Sequence, residues 1–173
     1  LPDGILIRSS RLTEDDINKK IHQISDVLNT TYKDKNPIIV GVLTGCVFFM
    51  MDLLKKCDFD YEISFISAKS YKGAKRGKLS VEEIDESFHD RDIIIVEDII
   101  DSGETIKEIY NRFNETNPIS IKVITLLHKN IASNIEMLDC ITAFNIENKF
   151  VIGYGLDYNN LFRNLKDIYI DNE

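Results

Sequence analysis

The sequence is poor in the residues that mark several specialised protein classes. Its 173 residues include no tryptophan, three prolines and three cysteines. Cys46, Cys57 and Cys140 are odd in number and lack CxxC spacing, so neither a disulfide framework nor a zinc site is predicted. No apolar run reaches the roughly 18 residues that a membrane-spanning helix needs. We therefore expect a globular, cytoplasmic protein without membrane association, and a native extension before Leu1 stays open.

Basic charge is also scarce. The 29 acidic and 21 basic residues give a net charge of −8, which argues against nucleic acid as a partner, because binding to phosphates needs a positive surface. The one basic cluster, residues 69–78, is typical of a local surface loop. At this length the chain is expected to form a single domain over residues 1–173, burying about two thirds of its unfolded surface.

Apolar runs and amphipathic segments alternate along the chain. Branched apolar runs at residues 38–43, 93–96 and 121–127 predict strands that are covered on both faces. A helix is predicted early in the chain from a capping-box pattern at Thr13 and Asp16, and further helices follow the first two strands. Shorter strands are expected at "CITAFNI" and "FVIGYGL", with "DIYI" as an edge strand. The alternation predicts an α/β fold with a parallel sheet and helices on both faces, in which ligands collect at the carboxyl ends of the strands.

The acidic stretch after the middle strand carries the strongest chemical signal. Glu97 and Asp98 stand at the end of that strand, and "DSGET" at residues 101–105 leads into a helix. The glycine allows close backbone approach, and the hydroxyls and first N–H groups of the helix form a cradle for one phosphate. Adjacent carboxylates beside such a cradle suit the hydroxyls of a sugar phosphate, with a divalent cation to relieve their repulsion. The alternatives are an ordinary helix cap at Asp101 or Ser102 and solvent-exposed acids.

The run "VEDIIDSGET" resembles the phosphoribosyl-pyrophosphate (PRPP) binding motif of the type I phosphoribosyltransferases, in the form found in hypoxanthine-guanine phosphoribosyltransferases. Further segments match landmarks of that family. "GVLTGC" matches its pyrophosphate loop, "SY" at residues 70–71 the start of a mobile catalytic loop, and "LLHKN" the site of a purine-reading lysine. "KFVIGYGLDYNNLFRNL" matches its base-binding and metal-binding tail. The resemblance implies the parallel-sheet type I phosphoribosyltransferase fold, with a small hood region built from the chain ends.

The resemblance also implies roles on the PRPP side of the site. Asp101 is the implied catalytic residue, a proton acceptor near N7 of the purine. Metal ligands are implied at Glu97 and Asp98, which would face the ribose hydroxyls directly or through Mg²⁺, and at Asp157, which would hold a second Mg²⁺. Thr44 stands where family members commonly carry lysine or arginine, so a side-chain contribution at that position is not carried over. The residues implied to bind PRPP are Thr44, Gly45, Ser70, Tyr71, Glu97, Asp98, Ile99, Ile100, Asp101, Ser102, Gly103, Glu104, Thr105, Asp157 and Arg163.

On the base side, the resemblance implies that Lys129 donates to the 6-oxo group of the purine. An ammonium has only donors, so it favours a keto oxygen over the 6-amino group of adenine. Phe150 would stack on the purine face, with the backbone of Lys149 and Val151 at the ring edge. The alternative for Phe150 is a core phenylalanine in an apolar strand.

The implied reaction joins hypoxanthine, and by expectation guanine, to PRPP and releases pyrophosphate and IMP or GMP, as in purine salvage. Mg²⁺ is the implied cofactor, and a homodimer or homotetramer is the expected assembly. Two alternatives stay open: an enzyme that prefers xanthine or uses hypoxanthine alone, and a PRPP-sensing regulator that keeps the fold without catalysis. The joint presence of Lys129, Phe150 and Asp157 favours the enzyme, because a sensor of PRPP does not need all three.

Overall fold

The computed structural model of the chain describes residues 10–70, 79–81, 86–132, 135 and 138–171. Within these ranges the backbone forms nine strands, three α-helices and one short 3-10 helix at Glu86–Phe88. In chain order the elements are β1 (Ser10–Leu12), α1 (Glu14–Thr31), β2 (Ile38–Leu43), α2 (Val47–Leu54), β3 (Glu62–Ser70), β4 (Leu79–Val81), β5 (Asp92–Ile100), α3 (Glu104–Asn114), β6 (Ser120–Lys129), β7 (Cys140–Ile146), β8 (Val151–Ile152) and β9 (Ile168–Ile170).

The main sheet contains six strands in the order β4-β3-β2-β5-β6-β7. All neighbouring pairs from β3 to β7 are parallel, and only β4 runs antiparallel, against the end of β3. The central strands β2 and β5 carry branched apolar residues on both faces, as strands in a doubly covered parallel sheet require. The predicted α/β fold is thereby confirmed.

Two hydrophobic cores lie on opposite faces of this sheet. The first packs α1 and α2 against β5 and β6, and it includes the predicted apolar face of α1. That helix begins at the predicted capping box, in which Thr13 accepts from the backbone of Asp16 and Asp16 accepts from the backbone of Thr13. The second core packs α3 against the other face through Ile106, Ile109 and Phe113. The predicted cover of helices on both faces is therefore present.

The chain ends form a separate three-stranded antiparallel sheet in the order β1-β9-β8, which is the hood. Asp167 ties this sheet to the start of α1, because its carboxylate accepts from the backbone N–H of Glu14 at 2.9 Å and pairs with Arg11 at 3.3 Å. The "DIYI" segment supplies β9, which is the central strand of the hood. The prediction of an edge strand there is wrong, because both β1 and β8 hydrogen-bond to it.

The order of the main sheet brings three strand ends together. β2, β5 and β6 are neighbours, and their carboxyl ends lie at Leu43, Ile100 and Lys129. β5 is longer than predicted and extends through the acidic pair, because its ladder with β6 continues from Glu97 to Ile100. The acids are therefore held by strand backbone rather than by a loop. Among the described residues, no helix is long and apolar enough to cross a membrane.

Candidate active site

The acidic pair lies at the carboxyl end of β5. Glu97 is buried, with 7% of its surface exposed, and its Oε1 accepts from the N–H of Asp98 at 3.3 Å. Oδ1 of Asp98 accepts from the N–H of Ile99 at 2.8 Å. Across from it, Gly45 leaves room for the carboxylate, since a β-carbon on that residue would overlap Oδ2 of Asp98. The alternative of solvent-exposed acids is therefore wrong for Glu97.

Burial decides the protonation behaviour of this pair. It raises the pKa of Glu97 well above 4.5, and the neighbouring charge of Asp98 raises that pKa further. The pKa of Asp98 is raised by burial too, while hydrogen bonds and the positive charge of Arg163 oppose the rise. Two adjacent carboxylates in this setting do not readily carry two negative charges. A cation or a set of hydroxyl donors between them would relieve the repulsion.

A pocket of about 180 Å³ opens beside the acidic pair. Its floor is the first turn of α3, which begins after Gly103, a residue with φ of 86° at the N-cap position. The alternative of an N-cap at Asp101 or Ser102 is wrong, because Gly103 occupies the N-cap position and has no side chain with which to cap the helix. The backbone N–H of Glu104 donates to Oγ of Ser102 at 3.4 Å. The other N–H groups at the start of this helix can donate to a ligand. The pocket is lined by Val42, Leu43, Glu97, Ile99, Ile100, Asp101, Ser102, Gly103, Thr105 and Ile106.

Lys129 ends β6 next to this pocket and pairs with Asp101. Its Nζ lies 3.0 Å from Oδ1 of Asp101. The lysine side chain is 12% exposed, whereas the aspartate is 62% exposed. A donor and an acceptor therefore stand side by side at the rim of the pocket, on the ends of two neighbouring strands.

Phe150 stands directly before β8. It is 51% exposed, and its ring meets Tyr158 edge-on with the centroids 5.7 Å apart. The alternative of a core phenylalanine is therefore wrong, because half of its surface remains accessible. Lys149 precedes it and pairs with Glu147, and Val151 is buried in β8. The aromatic face is available for stacking.

A second loop, residues 153–165, leads from β8 across the end of the site. Within it Arg163 pairs with Asp157 at 2.7 Å and donates to the carbonyl oxygen of Gly155 at 2.6 Å. The other oxygen of Asp157 accepts from the N–H of Asn160 at 2.8 Å. Gly155 packs on the backbone of Gly45, since a β-carbon there would collide with the Gly45 carbonyl oxygen. The predicted pyrophosphate loop and the predicted metal-binding tail are therefore in contact.

The structure says less about three of the predicted site residues. Thr44 is exposed and follows a cis peptide bond from Leu43. Ser70 is the last residue of β3, and Tyr71 lies outside the described residues. The predicted start of a mobile catalytic loop at these two residues stays a prediction.

Comparison with known proteins agrees with this geometry. The family model of the phosphoribosyl transferase domain matches residues 8–159. The chain belongs to this family. A hypoxanthine-guanine-xanthine phosphoribosyltransferase of Tritrichomonas foetus is 41% identical over 162 residues, covering 91% of this chain and 87% of the relative. A hypoxanthine-guanine phosphoribosyltransferase of Streptococcus pyogenes is 38% identical over 156 residues, covering 88% and 87%. A solved hypoxanthine-guanine phosphoribosyltransferase of Bacillus anthracis superposes with a TM-score of 0.85 at 30% identity, covering 96% of this chain and 99% of that one.

The described part of the chain offers a divalent cation few ligands. No group of three or more histidine, cysteine, aspartate or glutamate side chains comes together among the described residues. Mg²⁺ is commonly held by one or two carboxylates together with substrate oxygens and waters. Glu97 and Asp98 fit that role, because their burial leaves the negative charge poorly compensated. Asp157 fits it less directly, because both of its oxygens already have partners.

Sequence reasoning missed part of this phosphoribosyltransferase site. Leu43 and Val42, at the end of β2, form a wall of the pocket. Tyr154, between two glycines, donates to Asp52 on α2 and so connects the second loop to the helix after Gly45. The "GYG" spacing was the available signal, since glycines on both sides of a residue allow backbone angles that other residues rarely adopt.

Proposed function

We infer that this protein transfers the phosphoribosyl group of PRPP to a 6-oxopurine and releases pyrophosphate and a nucleoside 5′-monophosphate. The observation that carries this inference is the meeting, at three neighbouring strand ends, of an acidic pair, an anion cradle and the Lys129–Asp101 pair. The phosphoribosyltransferase names of the relatives support the same activity. Each part of the site has a counterpart in one part of the two substrates.

The phosphate cradle accounts for one end of PRPP. The open first turn of α3 and the hydroxyls of Ser102 and Thr105 suit the 5′-phosphate, which is dianionic and rich in acceptors. Glu97 lines the same pocket, so a ribose attached to that phosphate would bring its hydroxyls to the acidic pair. Carboxylates accept hydrogen bonds from a vicinal diol, which gives the pair a function in the bound state.

The Lys129–Asp101 pair accounts for the base. A 6-oxopurine presents, on one edge, an oxygen that accepts and a neighbouring N7 that carries or loses a proton. Lys129 would donate to the oxygen and Asp101 would accept at N7, in the same side-by-side order that the two groups have here. Adenine carries an amino group where Lys129 needs an acceptor, so it should be a poor substrate. The exposed ring of Phe150 would cover the face of the base.

The second loop accounts for the leaving pyrophosphate. Arg163 carries a planar guanidinium that suits phosphate oxygens, and Asp157 holds it in place in the free protein. The backbone of Gly45 lies against the same loop. Mg²⁺, when bound, would supply charge neutralisation on the pyrophosphate and a bridge to the carboxylates.

The residues would then contribute to the reaction in four ways. They would hold N9 of the base in line with C1′, so that the new C–N bond forms as the C1′–O bond to pyrophosphate breaks. Arg163 and the loop backbone would stabilise the charge on the departing pyrophosphate. Asp101 would accept the proton that the purine loses, and its exposed position leaves it a route to solvent. Closure by the loop predicted to start at Ser70 would exclude water.

Several finer points remain proposals of the same kind. We propose a single phosphoribosyltransferase domain over residues 1–173, a cytoplasmic location and a homodimer or homotetramer. Xanthine is a second candidate base, since the Tritrichomonas foetus relative is named for it as well. Xanthine differs from hypoxanthine by an oxo group at position 2. None of the residue roles proposed above places a charged side chain of the described site at that position.

One assay tests the proposal. The protein is mixed with PRPP and Mg²⁺, and with hypoxanthine, guanine, xanthine or adenine in turn, and monophosphate formation is followed by absorbance. Turnover with at least one 6-oxopurine and little with adenine is the expected result. PRPP binding measured by calorimetry, without turnover of any base, would instead establish the regulator. The relative rates with the three 6-oxopurines decide whether hypoxanthine, guanine or xanthine is the preferred base.

A further inference from the structure

The second loop of the site contains an unusual run of backbone angles. Gly153, Tyr154 and Gly155 have φ values of 98°, 50° and 98°. Glycine adopts such angles without strain, but a tyrosine in the left-handed region is uncommon and persists only where its surroundings fix it. The contacts of the Tyr154 side chain therefore decide the course of this loop.

Those contacts reach α2. Tyr154 is buried, and its hydroxyl donates to Oδ2 of Asp52 at 2.8 Å. Its ring packs on Phe48, with the centroids 6.3 Å apart. Burial, together with the nearby carboxylate of Asp52, raises the pKa of Tyr154, so the hydroxyl stays protonated and donates at neutral pH. Because α2 follows the Thr44–Gly45 loop directly, the hydrogen bond connects the two loops on the pyrophosphate side.

Gly155, the residue after Tyr154, links Tyr154 to Arg163. The N–H of Gly155 donates to the carbonyl oxygen of Arg163 at 2.9 Å, and its own carbonyl accepts from the Arg163 guanidinium at 2.6 Å. On its other side Gly155 packs on the backbone of Gly45 without space for a β-carbon. A shift of Tyr154 would therefore move Gly155, and with it both ends of Arg163.

We propose that Tyr154 and Asp52 are positioning residues for the pyrophosphate side of the site, and that their hydrogen bond sets the distance between the Arg163 loop and the Thr44–Gly45 loop. The proposal rests on the function inferred above. Neither residue contacts the pocket that lies between Glu97 and α3. Their loss should therefore weaken the handling of PRPP and pyrophosphate while leaving the handling of the base unchanged.

The test uses steady-state kinetics with PRPP and hypoxanthine varied separately. Y154F keeps the ring and removes the hydroxyl, and we expect the KM for PRPP to rise about tenfold, the scale of a hydrogen bond to a charged group. The KM for hypoxanthine should stay within about twofold of wild type, because no contact at the base side is changed. D52A should reproduce the effect, whereas D52N retains an acceptor oxygen and should stay close to wild type.

Two control variants separate this effect from general destabilisation. K55A removes the 3.1 Å ion pair between Lys55 and Asp52 but leaves the hydrogen bond to Tyr154 in place. Y32F removes another buried tyrosine hydroxyl, which lies near Ser120 at the amino-terminal end of β6, away from the site. Both variants should keep the wild-type KM for PRPP, whatever they do to the melting temperature.

The outcomes distinguish this proposal from the function on which it rests. An active wild type with an unchanged KM for PRPP in Y154F overturns the positioning role and leaves the function intact, as does an equal rise in both KM values. If the wild type turns over no 6-oxopurine, the function fails, and calorimetric titration with Mg²⁺-pyrophosphate then decides the positioning role. Equal affinity of wild type and Y154F would overturn it. If Y154F does not fold, the comparison of D52A with D52N decides in its place.

Discussion

Replacing Lys129 by methionine tests whether this residue recognises the 6-oxo group of the purine. Methionine keeps most of the apolar stem of a side chain that is 12% exposed and removes the ammonium that lies 3.0 Å from Asp101. A hydrogen bond from a charged donor is worth about 1.5 to 3 kcal/mol, so kcat/KM for hypoxanthine should fall about 10- to 150-fold. Adenine offers no acceptor at position 6, so its kcat/KM should change less and the preference for hypoxanthine should narrow.

The same substitution should hardly change stability. Asp101 is 62% exposed, and an ion pair with a partner that solvent reaches so freely contributes about 0 to 1 kcal/mol to folding. The melting temperature of K129M should therefore stay within a few degrees of wild type, because about 1 kcal/mol corresponds to roughly 2 to 4 °C in a chain of this size. A large loss of activity beside a small change in stability is the signature of a substrate contact.

The chain supplies a closely matched control at Lys122. It lies on the same strand, is 14% exposed, and pairs at 2.5 Å with Asp139, which is 64% exposed. At about 3.3 Å per residue, Lys122 lies roughly 23 Å along β6 from Lys129, near the amino-terminal end of the strand. K122M therefore removes the same kind of ion pair outside the site. Equal losses of kcat/KM in K122M and K129M, or no loss in K129M, would refute the assignment of Lys129 to the base.

Three further substitutions test the other parts of the site. D101N should lower kcat by about 10²- to 10⁴-fold, the usual range for a proton-transfer residue, and change PRPP affinity far less; equal losses in kinetics and calorimetry would leave it a phosphate contact alone. Because the pKa of Glu97 is raised above 4.5 on folding, the free protein should lose stability as pH rises from 4.5 through the raised value. E97Q should therefore melt at a higher temperature than wild type at about pH 8 but not at about pH 4, and identical curves would contradict the raised pKa. G45A should weaken PRPP use and stability together, since its β-carbon would overlap Asp98, and wild-type kinetics would show that the loop can relax.

Much of the fold follows from local patterns in the sequence. The apolar runs predicted three strands of a parallel sheet because each run is short and rich in branched residues, and those strands are β2, β5 and β6 in the structure. The capping box at Thr13 predicted the start of α1, because both of its hydrogen bonds join residues only three positions apart. Patterns of this kind are complete within a few residues and need no knowledge of the rest of the chain.

The parts that local patterns missed depend on contacts between distant residues. β5 continues through Glu97 because β6 pairs with it there, and no run of apolar residues announces a strand that contains two acids. Tyr154 and Asp52 meet across 102 positions in the chain. Gly45 and Gly155 face each other across a similar separation, and each looks like an ordinary turn glycine until their contact is known. Sequence alone predicted the types of residue in the candidate site, but not which of them hold one another in place.

The acidic pair itself argues for ligand binding rather than a structural role. Burial raises the pKa of both carboxyl groups, so placing them at the end of β5 reduces the stability of the free protein at neutral pH. A strand end that served only the fold would be more stable with apolar or uncharged residues of similar size. A bound cation or sugar diol would supply the missing partners and recover the lost stability. Substitutions of Glu97 or Asp98 that stabilise the free protein should therefore weaken binding of Mg²⁺ and PRPP, because both effects arise from the same uncompensated charge.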